Sequence, residues 1–188
     1  MRKRIHFFTL IEILTVMAIL AVLAGIVVGG VVIVNGKNAE TQTVATIKAL
    51  EMALNKYKME TGSIYTGVDG AWNAASIVPI RLTVPGTIPG NLNGTLWKYL
   101  DQKLINSATK VDGTNRYFVD AWGNALLYRI PGKFNSSGFD LGSVGPDGKL
   151  GDGVGTAFGG GTALPSDVTV NYNAAFGLGD DITNFVRQ

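Results

Sequence analysis

The chain of 188 residues contains no cysteine and a single histidine, His6. The first absence excludes a disulfide framework, a thiol nucleophile and a cysteine-ligated zinc site. The second removes the Ser-His-Asp triad and the two-histidine metal site, since His6 lies in a basic leader. Charge is scarce as well. Asp, Glu, Lys and Arg make up 16% of the chain, and Arg2, Lys3 and Arg4 alone outweigh its net charge of +2. The remainder is nearly neutral and lacks the clustered Lys and Arg of a nucleic-acid-binding face. Composition therefore argues against an ordinary hydrolase and against a nucleic-acid partner, and the length is that of one domain.

What the chain does have is one long apolar run. Residues 7–34 read FFTLIEILTVMAILAVLAGIVVGGVVIV, with Glu12 as the only charge. As a helix this run would be about 42 Å long, against roughly 30 Å of membrane hydrocarbon. It is too long for the core of a cleaved secretory signal, and no A-x-A site follows it. The basic residues ahead of it predict a cytoplasmic N-terminal end and an exported remainder. The expectation is a single-pass protein of the cytoplasmic membrane, in contact with the lipid bilayer.

Beyond Asn35-Gly36 the helical signal continues in polar form as AETQTVATIKALEMALNKYKMETG. Val44, Ile47, Leu50, Leu54 and Tyr57 recur every three or four residues, which places them on one helix face, and Gly62 is a plausible stop. One long helix is expected, apolar all round in its first half and amphipathic in its second. Residues 63–110 read mostly as loop, with a short helix at LWKYLDQKLI. YFVDAW (117–122) and ALLYRI (125–130) read as strands around a two-residue hairpin turn at Gly123-Asn124. GFDLGSV (138–144) reads as a third strand, and residues 145–181 as a glycine-rich loop relieved by a candidate strand, DVTVNYN (167–173). The fold class is α+β.

FTLIE at the head of an apolar run, behind a short basic leader, resembles the signal of type IV pilins and type II secretion pseudopilins, including their prepilin methylation motif. Three later blocks, VDAWGNALLYRIPG, FDLGSVGPDGKLG and GDDITNF, resemble the C-terminal blocks of the major pseudopilins of type II secretion. The resemblance implies a pilin-like fold, in which the long N-terminal helix packs on a small antiparallel sheet with a glycine-rich C-terminal loop. It implies a leader 1–7 removed by a prepilin peptidase between Phe7 and Phe8, an assembly half-helix 8–36 and an exported domain 37–188. Phe7 stands where the family usually has glycine, and Asp120-Ala121-Trp122 replaces the usual Asp-Pro-Trp. The implied function is structural: a homo-oligomeric helical filament, periplasmic or extracellular after assembly, working with minor pseudopilins and an inner-membrane assembly platform. A type IV pilin or minor pilin, or an unprocessed single-span protein with a ligand-binding exported domain, are the alternatives.

Glu12 has two readings. As an isolated carboxylate near the membrane edge it snorkels or protonates, since ionisation at depth costs about 2.5–3.5 kcal/mol. The resemblance implies instead that it pairs with the free amine of a neighbouring processed subunit and sets the register of assembly. Gly25, Gly29 and Gly30 allow either close helix packing or local unwinding. The acidic loop GPDGKLGDG with the later GDD holds Asp147, Asp152, Asp180 and Asp181. It lacks the EF-hand ligand pattern, and Asp-Gly most often means a turn. The resemblance implies calcium there, held by Asp147, Asp180 and Asp181 with Asp152 as an alternate and with backbone oxygens near Val144 and Lys149. Trp72, Trp97 and Trp122 read as packing residues, Trp122 pinning the hairpin to the long helix.

Overall fold

The computed structural model describes residues 9–65, 80–81, 83–85, 95–113, 115–151, 153, 172 and 174–185, without the side chains of 26–35, 80–85, 112 and 115. Trp72 and most of the candidate strand 167–173 lie outside these residues. The chain divides into two compact units, Met1–Asn38 and Ala39–Gln188.

Helix α1 is continuous over Leu10–Thr61, 52 residues. It ends where Gly62 takes φ +69° and donates its amide to Lys58 O at 3.0 Å, the left-handed termination that glycine accepts without Cβ strain. Ten large apolar side chains between Leu10 and Leu23 are exposed, and they fall on every side of the helix. Among the described residues no helix is long and apolar enough to cross a membrane.

In the second unit the periodic face of α1 is buried: Ile47, Leu50 and Leu54 are at most 2% exposed. They join Phe118, Leu126, Tyr128, Phe139 and Leu141 in the main core. After α1 come β1 (Ile80–Arg81), β2 (Thr83–Pro85), a 3-10 turn (Leu96–Tyr99), α2 (Gln102–Ala108), β3 (Thr109–Asp112) and β4 (Asn115–Phe118). The order closes with β5 (Leu127–Arg129), β6 (Asp140–Ser143) and β7 (Ile182–Thr183). They form two antiparallel sheets, ordered β1-β5-β6-β7 and β2-β4-β3.

Alternation along β5 explains why the larger sheet is buried on both sides. Tyr128 faces the core shared with α1, whereas Leu127 faces a second cluster with Val144, Leu150, Tyr172 and Phe176. Leu150, Tyr172, Ala175 and Phe176 thus cover the sheet face opposite α1. Gly142 on β6 permits this covering. A Cβ there would stand 2.7 Å from Ile182 O and 2.8 Å from Phe176 Cζ.

Several expectations need correction. The two strands flanking Gly123-Asn124 are not a two-residue hairpin. β4 ends at Phe118, β5 begins at Leu127, and they lie in different sheets. Between them an isolated bridge, Val119 to Ala125, closes a turn in which Asp120 N donates to Asn124 O at 2.9 Å. Trp122 sits in that turn, half-buried, and lines a cleft with Gln42 and Thr46 of α1. Instead of one sheet there are two, because β1, β2 and the start of β3 arise within 63–110, where the Gly, Pro, Asn and Thr content reads as loop. Tyr172, expected in a strand, is helical.

Candidate functional site

The start of α1 answers the question of Glu12 at the level of one chain. Thr9 N and Thr9 Oγ1 both donate to Glu12 Oε2 at 2.8 Å, and Glu12 N donates to Thr9 O at 3.1 Å. Thr9 stands just before the first helical residue, and Glu12 is the third residue of the helix. This is a capping box, in which a carboxylate satisfies an amide that the helix leaves unpaired. The T-x-x-E spacing is legible in the sequence, but the family resemblance drew attention to the charge rather than to the cap. Phe7 and Phe8 lie outside the described residues. Gly25 is helical, and a Cβ there would meet nothing within 4 Å. Gly29 and Gly30 belong to α1, without described surroundings.

The acidic loop begins where β6 ends. Gly145 adopts φ +71°, and a Cβ on it would stand 2.6 Å from Asp180 O and 2.7 Å from Asp180 Oδ2. Glycine is thus required twice, for its backbone angle and for the approach of the two parts of the loop. Asp147, exposed, accepts from Lys149 N at 2.7 Å through Oδ1, the self-bonded turn that Asp-Gly sequences favour. A Cβ on Gly153 would lie 3.4 Å from Asp147 Oδ2. Asp181 Oδ2 accepts from Gly151 N at 3.0 Å and Gly177 N at 2.7 Å, drawing together segments far apart in sequence. Its Oδ1 is buried and has no hydrogen-bond partner among the described residues.

Burial pushes the Asp181 carboxyl up to about 7, and the nearby charges of Asp180 and Asp147 push the same way against the two backbone bonds. Three of the four expected acidic residues therefore share one electrostatic neighbourhood. Asp152 lies outside the described residues. Among the described residues no three His, Cys, Asp or Glu side chains converge closely enough to hold a metal ion.

A buried carboxylate that sequence reasoning missed supports the loop from below. Asp140, fully buried on β6, accepts from Lys133 N at 2.6 Å, Phe134 N at 3.1 Å, Asn135 N at 2.8 Å and Tyr172 Oη at 3.1 Å. Its signal was an aspartate between the apolar Phe139 and Leu141 in a strand. Such a charge must find donors inside the fold.

The described residues define an α+β architecture: a long N-terminal helix with an apolar exposed start and two small antiparallel sheets. Residues 100–157 match the family Type II secretion system (T2SS), protein G. The matched stretch contains the 120–124 turn, β5, β6 and the first half of the acidic loop, and it stops short of Asp180 and Asp181. This is a family of structural pseudopilins, not of enzymes. No curated protein and no solved structure matched the chain.

Proposed function

We propose that this chain is a structural subunit of a type II secretion pseudopilus that polymerises through its N-terminal helix to drive protein export. The match of residues 100–157 carries the reading. The first half of α1 supports it, because ten large apolar side chains exposed on one helix need cover. Lipid covers them in a single-pass subunit of the cell envelope, and neighbouring helices do so in a filament. The other components of the secretion system are the partners implied.

In this reading Glu12 exchanges its capping role for a pair with the processed amine of a neighbouring subunit. Two substitutions separate cap from charge. Glu12→Leu removes both, loses the reciprocal half of the capping box, and should insert into membrane at least as well as the parent. Glu12→Gln retains the acceptor of a capping box while removing the charge. Both are expected to fail to enter filaments on their own, scored by the yield of sheared filaments. Parent-like yield from Glu12→Gln would leave Glu12 as a cap alone.

Processing between Phe7 and Phe8 is part of the same proposal. A small residue before the scissile bond enters a protease pocket with less steric conflict than Phe7, so Phe7→Gly should mature faster when coexpressed with a prepilin peptidase. N-terminal mass of the product checks it; equal maturation rates, or a chain still starting at Met1, would refute the cleavage point.

The acidic loop we infer to hold calcium. The buried, unpartnered Asp181 Oδ1 and the carboxylates of Asp147 and Asp180 beside it are hard oxygen donors, and Asp152 is the alternate. Bound there, a cation would neutralise the mutual repulsion and join the two halves of the loop. The chain's own residues already prepare this closure through the bonds of Asp181 to Gly151 and Gly177.

A further inference from the structure

The 120–124 turn is bonded on one side to α1 and on the other to the first residue of the acidic loop. Ala121 N donates to Thr43 Oγ1 of α1 at 3.1 Å. Asp120 Oδ1 closes the turn by accepting from Trp122 N at 3.0 Å and Asn124 N at 2.8 Å. Asp120 Oδ2 accepts from Ser143 Oγ at 2.6 Å, and that hydroxyl accepts in turn from Gly145 N at 3.0 Å. Asn124 Nδ2 donates to Gly145 O at 2.9 Å. Both polar atoms of the Gly145 backbone are therefore held from this turn, one directly and one through a single hydroxyl. Asp120 and Ser143 are 5% and 0% exposed, so water does not compete for the two bonds of the Ser143 hydroxyl.

Gly145 is also a point of close approach between the two halves of the loop, because it packs against Asp180 with no room for a Cβ. Asn124 reaches the next turn as well; a Cβ on Gly148 would lie 3.2 Å from Asn124 Oδ1. Whatever fixes Gly145 thus fixes how Asp147, two residues on, stands relative to Asp180.

We propose that Asp120, Asn124 and Ser143 are positioning residues, forming a bracket that sets the acidic loop in place from the frame of α1. The proposal rests on the cation reading above for its functional meaning and on the hydrogen bonds alone for its structural one. A bracket differs from an ordinary core contact in what its loss does. Core loss lowers protection everywhere in the unit, whereas bracket loss frees the loop and weakens its cation while α1 stays ordered.

The test uses the full chain in detergent micelles, with calcium ion as the probe, and compares the parent with Asn124→Ala and Ser143→Ala. Amide exchange over 145–151 should accelerate by about tenfold or more in both variants while that of 47–57 stays unchanged. Calcium affinity by titration calorimetry should fall by about tenfold. Asn124→Asp, which loses the Nδ2 donor and faces the Gly145 carbonyl with a carboxylate, should behave like Asn124→Ala. Unchanged exchange over 145–151 in both alanine variants overturns the bracket, and so does an equal loss of protection across the whole unit. A parent that ignores calcium sinks the cation reading alone, and the exchange pattern then decides the bracket by itself.

Discussion

Asp140→Ala is expected to cost the second unit about 3 kcal/mol or more, since Asp140 accepts from four groups and each such hydrogen bond contributes about 0.5–1.5 kcal/mol net. The substitution strands three backbone amides, those of Lys133, Phe134 and Asn135, together with the Tyr172 hydroxyl. For a chain of this size that is a fall in melting temperature of roughly 6–12 °C. Asp140→Asn should fall between parent and alanine variant. Its carbonyl oxygen still accepts, but its NH2 group turns a donor toward donors. The damage should also be directional. Tyr172 packs on Phe176 and Phe134 across the sheet face away from α1, so the glycine-rich side should lose protease resistance before the α1 side does. Urea unfolding and limited proteolysis check both parts. A loss under about 1 kcal/mol would mean that water replaces the missing acceptor.

Asp140 also shows how far the sequence could be read. The helix was legible because a period of 3.6 residues survives any tertiary context that buries one face, and Ile47, Leu50 and Leu54 declare it. β6 was legible for a similar reason, since it pairs on both edges and is apolar where it faces the core. The strands of 80–112 were not, because two- to four-residue strands carry too few positions for alternation to show. Their pairing is set by partners distant in sequence. Gly123-Asn124 misled by resembling a reversed hairpin turn, whereas the dominant interaction there is the Asp120 side chain capping its own turn. The Asp-Gly turn at Asp147, set aside in favour of a cation ligand, is the local reading that its bond from Lys149 N matches. The bracket from Asp120 through Ser143 to Gly145 was invisible, because it joins residues more than twenty positions apart through side chains whose partners no local pattern names.

Asp181 makes the stability of the chain depend on pH in a direction opposite to that of most carboxylates. An aspartate ordinarily titrates near 3.8, and in the fold Asp181 is raised to about 7. Between those values the unfolded chain has released the proton and the folded chain still holds it. Stability contributed by the protonated form is therefore full below the unfolded value, declines as pH rises from about 4 to about 7, and is gone above that. Salt-bridged carboxylates such as Glu60, lowered by its bond with Lys98, slope the other way, so the diagnostic is a difference between variants. Asp181→Asn keeps a neutral acceptor for Gly151 and Gly177 and should flatten the decline. Calcium should act on the same group with the reverse preference, because an oxygen-ligated cation favours the ionised carboxylate. At pH 7.5 the melting temperature should rise by several degrees with calcium and fall with chelator, the stabilisation being about 2.7 kcal/mol at a hundredfold excess over Kd. At pH 5 the same calcium should do less, as it must first displace the proton. Magnesium should substitute poorly, since it requires a tighter octahedral shell and gives up its waters reluctantly. Asp147→Ala should remove most of the calcium response while leaving most of the decline with pH, because burial, rather than the charge of Asp147, is the leading cause of the raised value. Melting curves indifferent to calcium and chelator at both pH values would return the loop to a set of Asp-Gly turns. A decline with pH that survives in Asp181→Asn would move its origin to Asp120, a second carboxyl that burial raises.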